Sequence, residues 1–174
     1  MTLVVDASAV AEILLGTQAG RRAAAVLDGH ELIAPQHLTA EVASVIRGWS
    51  LSRQITDDIA LRAFREFEAL DIEQVPMMYL LPAVYALRHN ISAYDAMYVV
   101  LARAAGCSLL TLDARLAASV PDCAQLPKPL SAVREKPSGE STCPVLMRAR
   151  KPIDGLGGQF HFAFTAVSLC FDDL

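Results

Sequence analysis

Leu3-Val4-Val5-Asp6-Ala7-Ser8-Ala9-Val10 opens the chain with three apolar or β-favouring residues, one carboxylate and then a small-residue apolar stretch. The run reads as a buried strand feeding directly into a helix. Asp6 then lies at the carboxyl end of a strand, where open α/β sheets place their ligand crevices. An aspartate at that junction is equally suited to capping the helix that starts at Ala7. Both readings stand until the other carboxylates are placed.

Working outward, residues 7–15 form the first helix, stopped by Gly16, and residues 18–27 a second. Residues 31–34, closed by Pro35, suit a short strand, and the stripe at 38, 42, 45, 46 and 49 a helix. Glu41 leaves from the same face as that stripe, where an isolated glutamate is costly to bury. A buried ion pair with Arg47 or Arg103 is its best purely structural explanation. Residues 57–70 form a scaffolding helix capped by Thr56, residues 72–75 a strand, and residues 81–89 a helix with Pro82 in its first turn. Ser92 opens a long helix to about Ala105, with Tyr94, Met97, Tyr98, Leu101 and Ala105 as its apolar residues, Gly106 as its stop and Asp95 in its first turn. Residues 108–112 are a buried strand ending at Asp113, and residues 114–119 a short helix, so the strand, aspartate, helix sequence of Asp6 recurs. This alternation implies an α/β fold with a central, mainly parallel sheet flanked by helices.

Composition bounds the function. With 174 residues and 53% hydrophobic content, the chain can fill one core. No apolar run reaches the roughly 18–20 residues that span a bilayer, and no basic region precedes the apolar start. A cytoplasmic protein with no membrane attachment is expected. Cys107, Cys123, Cys143 and Cys170 form no ligand spacing and read as free thiols. The four histidines, His30, His37, His89 and His161, form none either. The formal charge is −4, and residues 1–130 carry ten Lys/Arg against fourteen Asp/Glu. That balance is wrong for holding nucleic acid by broad phosphate neutralisation. It suits clustered carboxylates offset by a divalent metal, or an acidic face covered by a basic partner. From about Pro127 the texture turns to Pro, Gly, Ser and basic residues, which sets a domain boundary near residue 130 and leaves 131–174 as an atypical extension.

Four carboxylates remain. If the two Asp-ended strands are central neighbours, Asp6, Glu41, Asp95 and Asp113 can meet at one edge of the sheet. Packed like charges need protons or cations. Oxygen-only ligands suit Mg²⁺ or Mn²⁺, which support phosphodiester hydrolysis. The hydroxyls of Ser8 and Thr111 are placed to orient the carboxylates, and Arg115 to touch a phosphate. Capping remains open for Asp95, three residues after Ser92, and for Asp113. Tyr94, Tyr98 and Trp49 fall on apolar stripes and read as core or dimer contacts.

Taken together, Val4-Val5-Asp6-Ala7-Ser8, Thr39-Ala40-Glu41-Val42, Ala93-Tyr94-Asp95-Ala96 and the run from Leu110 to Leu116 resemble a PIN-domain ribonuclease, specifically a VapC-type toxin of a toxin–antitoxin pair. The resemblance covers about residues 1–130. It implies a PIN-like three-layer sandwich and an RNA-cleaving site made of Asp6, Glu41, Asp95 and Asp113. It further implies that Asp6, Asp95 and Asp113 hold Mg²⁺ or Mn²⁺, with Ser8 and Thr111 in support. A homodimer and a cognate antitoxin follow from the same resemblance. Two rival classes are a non-catalytic PIN-like module that binds RNA or protein, and a phospho-receiver domain. The latter needs a lysine late in the core, and Lys128 is the only lysine before the extension.

Overall fold

Strand β1 (Thr2–Val5) has Leu3, Val4 and Val5 fully buried. In the computed structural model, which describes residues 1–127, it is the middle of a five-stranded sheet. The other strands are β2 (Glu31–Pro35), β3 (Glu73–Val75), β4 (Ser108–Leu110) and β5 (Ala124–Gln125), in the order β3-β2-β1-β4-β5. Every pairing is parallel. The α/β expectation therefore holds. The boundary near residue 130 and the extension 131–174 lie outside the described residues.

The helices are α1 (Ala7–Leu14), α2 (Gln18–Leu27), α3 (Leu38–Leu51), α4 (Asp57–Ala69), α5 (Leu81–Ala86), α6 (Ala93–Ala105) and α7 (Ala114–Ser119), with a 3₁₀ turn at Met78–Leu80. The chain steps from β1 to β2 and β3, then returns through α5 and α6 to β4 on the other side of β1. Because parallel crossovers are right-handed, α1 to α4 cover one face and α5 to α7 the other. The packing agrees: α1 lies against α2, α3 and α4, while α6 lies against β1, β2 and β4. The reversal of winding direction falls between β1 and β4. In open α/β sheets that switch point is where a crevice opens at the carboxyl edge.

Burial of Leu109, Leu110, Val99, Ala102, Leu38, Val42 and Ile46 completes the core. Each fully buried Val, Leu or Ile contributes about 1.5–3 kcal/mol relative to exposure. Gly20 sets the distance between α1 and α2, since a Cβ there would lie 1.9 Å from the backbone oxygen of Glu12. Gly106 ends α6 in the left-handed region at φ +61°, which glycine adopts without penalty.

Several boundaries differ from expectation. Strand β4 stops at Leu110 rather than at residue 112, although the Thr111 amide still donates to the carbonyl of Gln125 on β5 at 3.2 Å. Helix α5 ends at Ala86 rather than at 89. Strand β5, a two-residue edge pairing, has too little pattern to be seen in sequence. On α6 the buried residues are Ala96, Tyr98, Val99, Val100, Leu101 and Ala102, whereas Tyr94 is 60% exposed and Ala105 is exposed. Cys107 and Cys123 are free and half-buried; Cys143 and Cys170 lie outside the described residues.

Candidate active site

Asp6 follows β1 directly, and its amide donates to the carbonyl of Leu110 on β4 at 3.2 Å. The Val5 and Leu110 pairing sets Thr111 opposite Asp6. It is thus Thr111, not Asp113, that occupies the register position matching Asp6. The Asp6 side chain caps α1, with Oδ1 accepting from the Ala9 amide at 2.9 Å and from the Ser8 hydroxyl at 2.7 Å. Its Oδ2 accepts from the Thr111 hydroxyl at 2.5 Å. The same two hydroxyls accept backbone N–H groups from the loop after β4: Ser8 Oγ from Leu112 at 2.9 Å, and Thr111 Oγ1, within that loop, from Asp113 at 2.9 Å. Ser8 and Thr111 therefore join the ends of β1 and β4 through the Asp6 carboxylate.

Only 5% of Asp6 is exposed. Burial pushes its pKa up, more than the hydrogen bonds from Thr111, Ala9 and Ser8 pull it down, and the Glu41 charge adds to the rise. No Lys, Arg or His is among its hydrogen-bond or ion-pair partners in the described residues. The result is a buried carboxylate without a counter-ion.

Glu41 sits in the first turn of α3. The ion pair expected with Arg47 or Arg103 does not form: Arg103 instead takes Asp122 in two hydrogen bonds of 3.0 and 3.2 Å. Glu41 Oε2 accepts from the Tyr98 hydroxyl on α6 at 2.6 Å. Burial and the Glu41 carboxylate both hold that phenol protonated well above its ordinary range, and the Asp6 charge acts in the same direction. His37 Nε2 also lies 3.4 Å from Glu41 Oε2, near enough for attraction, yet neither ring nitrogen has an aligned hydrogen-bond partner. Burial lowers the His37 pKa, while the charges of Glu41 and Asp95 oppose that shift. The ring packs on Tyr94 at 5.5 Å and edge-on to Tyr98 at 5.0 Å.

Asp95 stands in the first turn of α6, its Oδ2 accepting from the Ser92 hydroxyl at 2.7 Å while the Ser92 oxygen caps the Asp95 amide at 3.1 Å. Asp113 caps α7 through the amides of Arg115 at 2.7 Å and Leu116 at 3.2 Å. The side chain of Arg115 is exposed beside it.

Tyr98, Glu41 and His37 thus form a connected group between α6 and α3, on which Asp6 and Asp95 act through their charge, and the backbone amide of Asp113 is tied to Asp6 through the Thr111 hydroxyl. The four carboxylates do not close on a single point: among the described residues no three His, Cys, Asp or Glu side chains form a group that could hold a metal ion as placed. The cause is local, since Asp95 is turned to Ser92, Asp113 to its own helix, and Glu41 to Tyr98. Tyr98 and His37 are the participants that sequence reading missed. The available signals were that His37 lies four residues before Glu41, and Tyr98 three after Asp95, both one helical turn away.

The PIN domain family pattern matches residues 3–119. Ribonuclease VapC12 of Mycobacterium tuberculosis is 36% identical over 117 residues, covering 67% of this chain and 91% of its own. Ribonuclease VapC1 of the same species is 41% identical over 121 residues, covering 67% and 89%. Ribonuclease VapC3 of Pyrobaculum aerophilum is 34% identical over 128 residues, covering 70% and 96%. Among solved structures, the crystal structure of PAE2754 from Pyrobaculum aerophilum covers 68% of this chain and 84% of its own at TM-score 0.48 and 21% identity.

Proposed function

The chain belongs to the PIN-domain family, and from that premise we propose that it is an endoribonuclease acting as the toxin of a toxin–antitoxin pair. The observation that carries this reading is Asp6, a buried carboxylate without a counter-ion at the switch point between β1 and β4. An ordinary helix cap has no need of 95% burial, because a solvated aspartate accepts the same amide at lower cost. The likeness to proteins named Ribonuclease VapC supports RNA as the substrate and a cognate antitoxin as partner. We assign the protein to the cytoplasm; no helix among the described residues is long and apolar enough to cross a membrane. A homodimer is part of the proposal, supported by the exposed apolar surface of Met78, Leu81 and Tyr85. So is a nuclease unit ending near residue 130.

We further propose Mg²⁺ or Mn²⁺ as cofactor. The donor set fits in kind: Asp6, Asp95 and Asp113 offer only hard carboxylate oxygens, and Asp6 is buried with no cationic partner among the described residues. These three residues would hold the ion. When bound, it supplies neutralisation of phosphate charge and Lewis-acid activation of water. The chain's own residues do the rest. Ser8, Thr111 and the Ala9 amide fix both oxygens of Asp6. Tyr98 fixes Glu41, which stays 28% exposed at its side chain and is assigned to accept the proton of the attacking water. Arg115 is assigned to a phosphate of the RNA strand.

Incubation of total cellular RNA with purified protein in Mg²⁺, in Mn²⁺ and in EDTA tests the reading. Discrete fragments with either metal, absent in EDTA and absent for Asp95→Ala, are expected. Equal fragmentation by the variant would remove Asp95 from the site.

A further inference from the structure

We infer that Tyr94 forms a nucleobase-stacking subsite beside the acidic residues, taking a base of the single-stranded RNA next to the cleaved phosphate. The inference rests on the ribonuclease reading and adds a substrate contact to it. Tyr94 immediately precedes Asp95 in the first turn of α6, and 60% of it is exposed. The ring offers an aromatic face at the rim of a charged crevice, apolar in body and polar at its tip.

The ring is also braced. His37 packs on it with centroids 5.5 Å apart and planes inclined by 53°. His37 meets Tyr98 at 5.0 Å and 63°, and Tyr98 is tied to Glu41. This series of rings links Tyr94 to the catalytic carboxylates, so a base seated on it registers the adjoining phosphate against them. A tyrosine side chain has only two rotatable angles to lose on binding.

Charge points the same way. With a formal charge of −4, and Arg115 the only basic residue assigned to the site, phosphate neutralisation can supply little affinity. Stacking on an aromatic ring is sequence-tolerant and independent of net charge.

The test measures binding of a short mixed-sequence single-stranded RNA in EDTA by wild type, Tyr94→Phe and Tyr94→Leu, with the same RNA carrying one abasic site at each position in turn. Cleavage of the intact RNA in Mg²⁺ and Mn²⁺ is followed alongside. Tyr94→Leu should bind roughly five- to a hundredfold more weakly, the range expected for one stacked base, and Tyr94→Phe within about twofold of wild type. One abasic position should weaken the wild type by a similar factor and leave Tyr94→Leu indifferent. A purely structural tyrosine would not produce that coupling. Wild-type cleavage together with unchanged binding by Tyr94→Leu overturns the subsite and leaves the nuclease standing. So does a Tyr94→Leu protein whose self-association changes while its RNA affinity does not, which makes the ring a contact between copies of the chain. If the wild type neither binds nor cuts RNA, the ribonuclease reading falls and takes the subsite with it.

Discussion

The Tyr98 hydroxyl reaches across 57 positions of sequence to donate a 2.6 Å hydrogen bond to Oε2 of Glu41. This bond joins α6 to α3 above the end of β1. Tyr98→Phe removes the donor with little change of shape. The variant should lose about 1.5–3 kcal/mol of stability, the usual range for a hydrogen bond to a charged group. Its RNA cleavage rate should fall several-fold at nearly constant KM, because Glu41 loses its orientation but the RNA contacts remain. Urea titration and saturation kinetics measure the two effects; a variant unchanged in both would show that Tyr98 only fills space.

Thr111→Val tests the hydroxyl that donates to Asp6 while accepting the Asp113 amide. Valine keeps the volume and deletes both bonds. The buried carboxylate and the amide lose a partner each, so a loss of about 1–3 kcal/mol is expected in thermal or urea unfolding. Full stability would mean that water replaces the hydroxyl.

Asp6 gives a pH dependence whose sign follows from its raised pKa. At acidic pH, below its unfolded value, the carboxyl is neutral in both states and costs nothing. As pH rises through the folded pKa, the folded protein must ionise a buried group, and stability is lost. In EDTA, Asp6→Asn should therefore equal or exceed the wild type in stability at neutral pH, with the difference shrinking on acidification. Urea midpoints across that range check this. A variant less stable at neutral pH, with the deficit disappearing in acid, would reverse the sign and show that the ionised form is the favoured one.

Gly20→Ala addresses the fold rather than the chemistry. The added methyl would overlap the Glu12 backbone, so α1 and α2 must move apart. About 1–3 kcal/mol of destabilisation is expected from such overpacking. An unchanged melting temperature would mean that the helices separate without cost.

Much of this molecule is legible in sequence where local signals agree. The apolar run into Asp6, the Ser92 cap and the Gly106 stop are short-range patterns, and β1 and α6 follow from them. Alternating strands and helices indicate a parallel sheet, but not that the chain returns from β3 to set β4 beside β1. That return brings Thr111, rather than Asp113, opposite Asp6. Long-range partners were the least visible. Nothing near Glu41 announces a tyrosine on α6, and an arginine pair is the structural alternative to its place in the acidic site that the sequence offers. The four-residue spacing of His37 to Glu41 takes on meaning only once both meet Tyr98 of α6. Tyr94 looked like core from its period alone, because it falls in phase with Tyr98. The same helical face is buried at Tyr98 and open at Tyr94.

Asp6 is kept buried for chemistry, and a paired cleavage assay separates that role from a structural one. Wild type and Asp6→Asn, matched for folding by circular dichroism, are incubated with the same RNA in Mg²⁺ and in Mn²⁺. Discrete cleavage by the wild type is expected, with a loss of at least about a hundredfold in the variant, roughly 2.7 kcal/mol of transition-state stabilisation. Cleavage by Asp6→Asn at the wild-type rate would contradict it. A folded wild type that binds RNA without cutting it in either metal would instead identify a non-catalytic binding module.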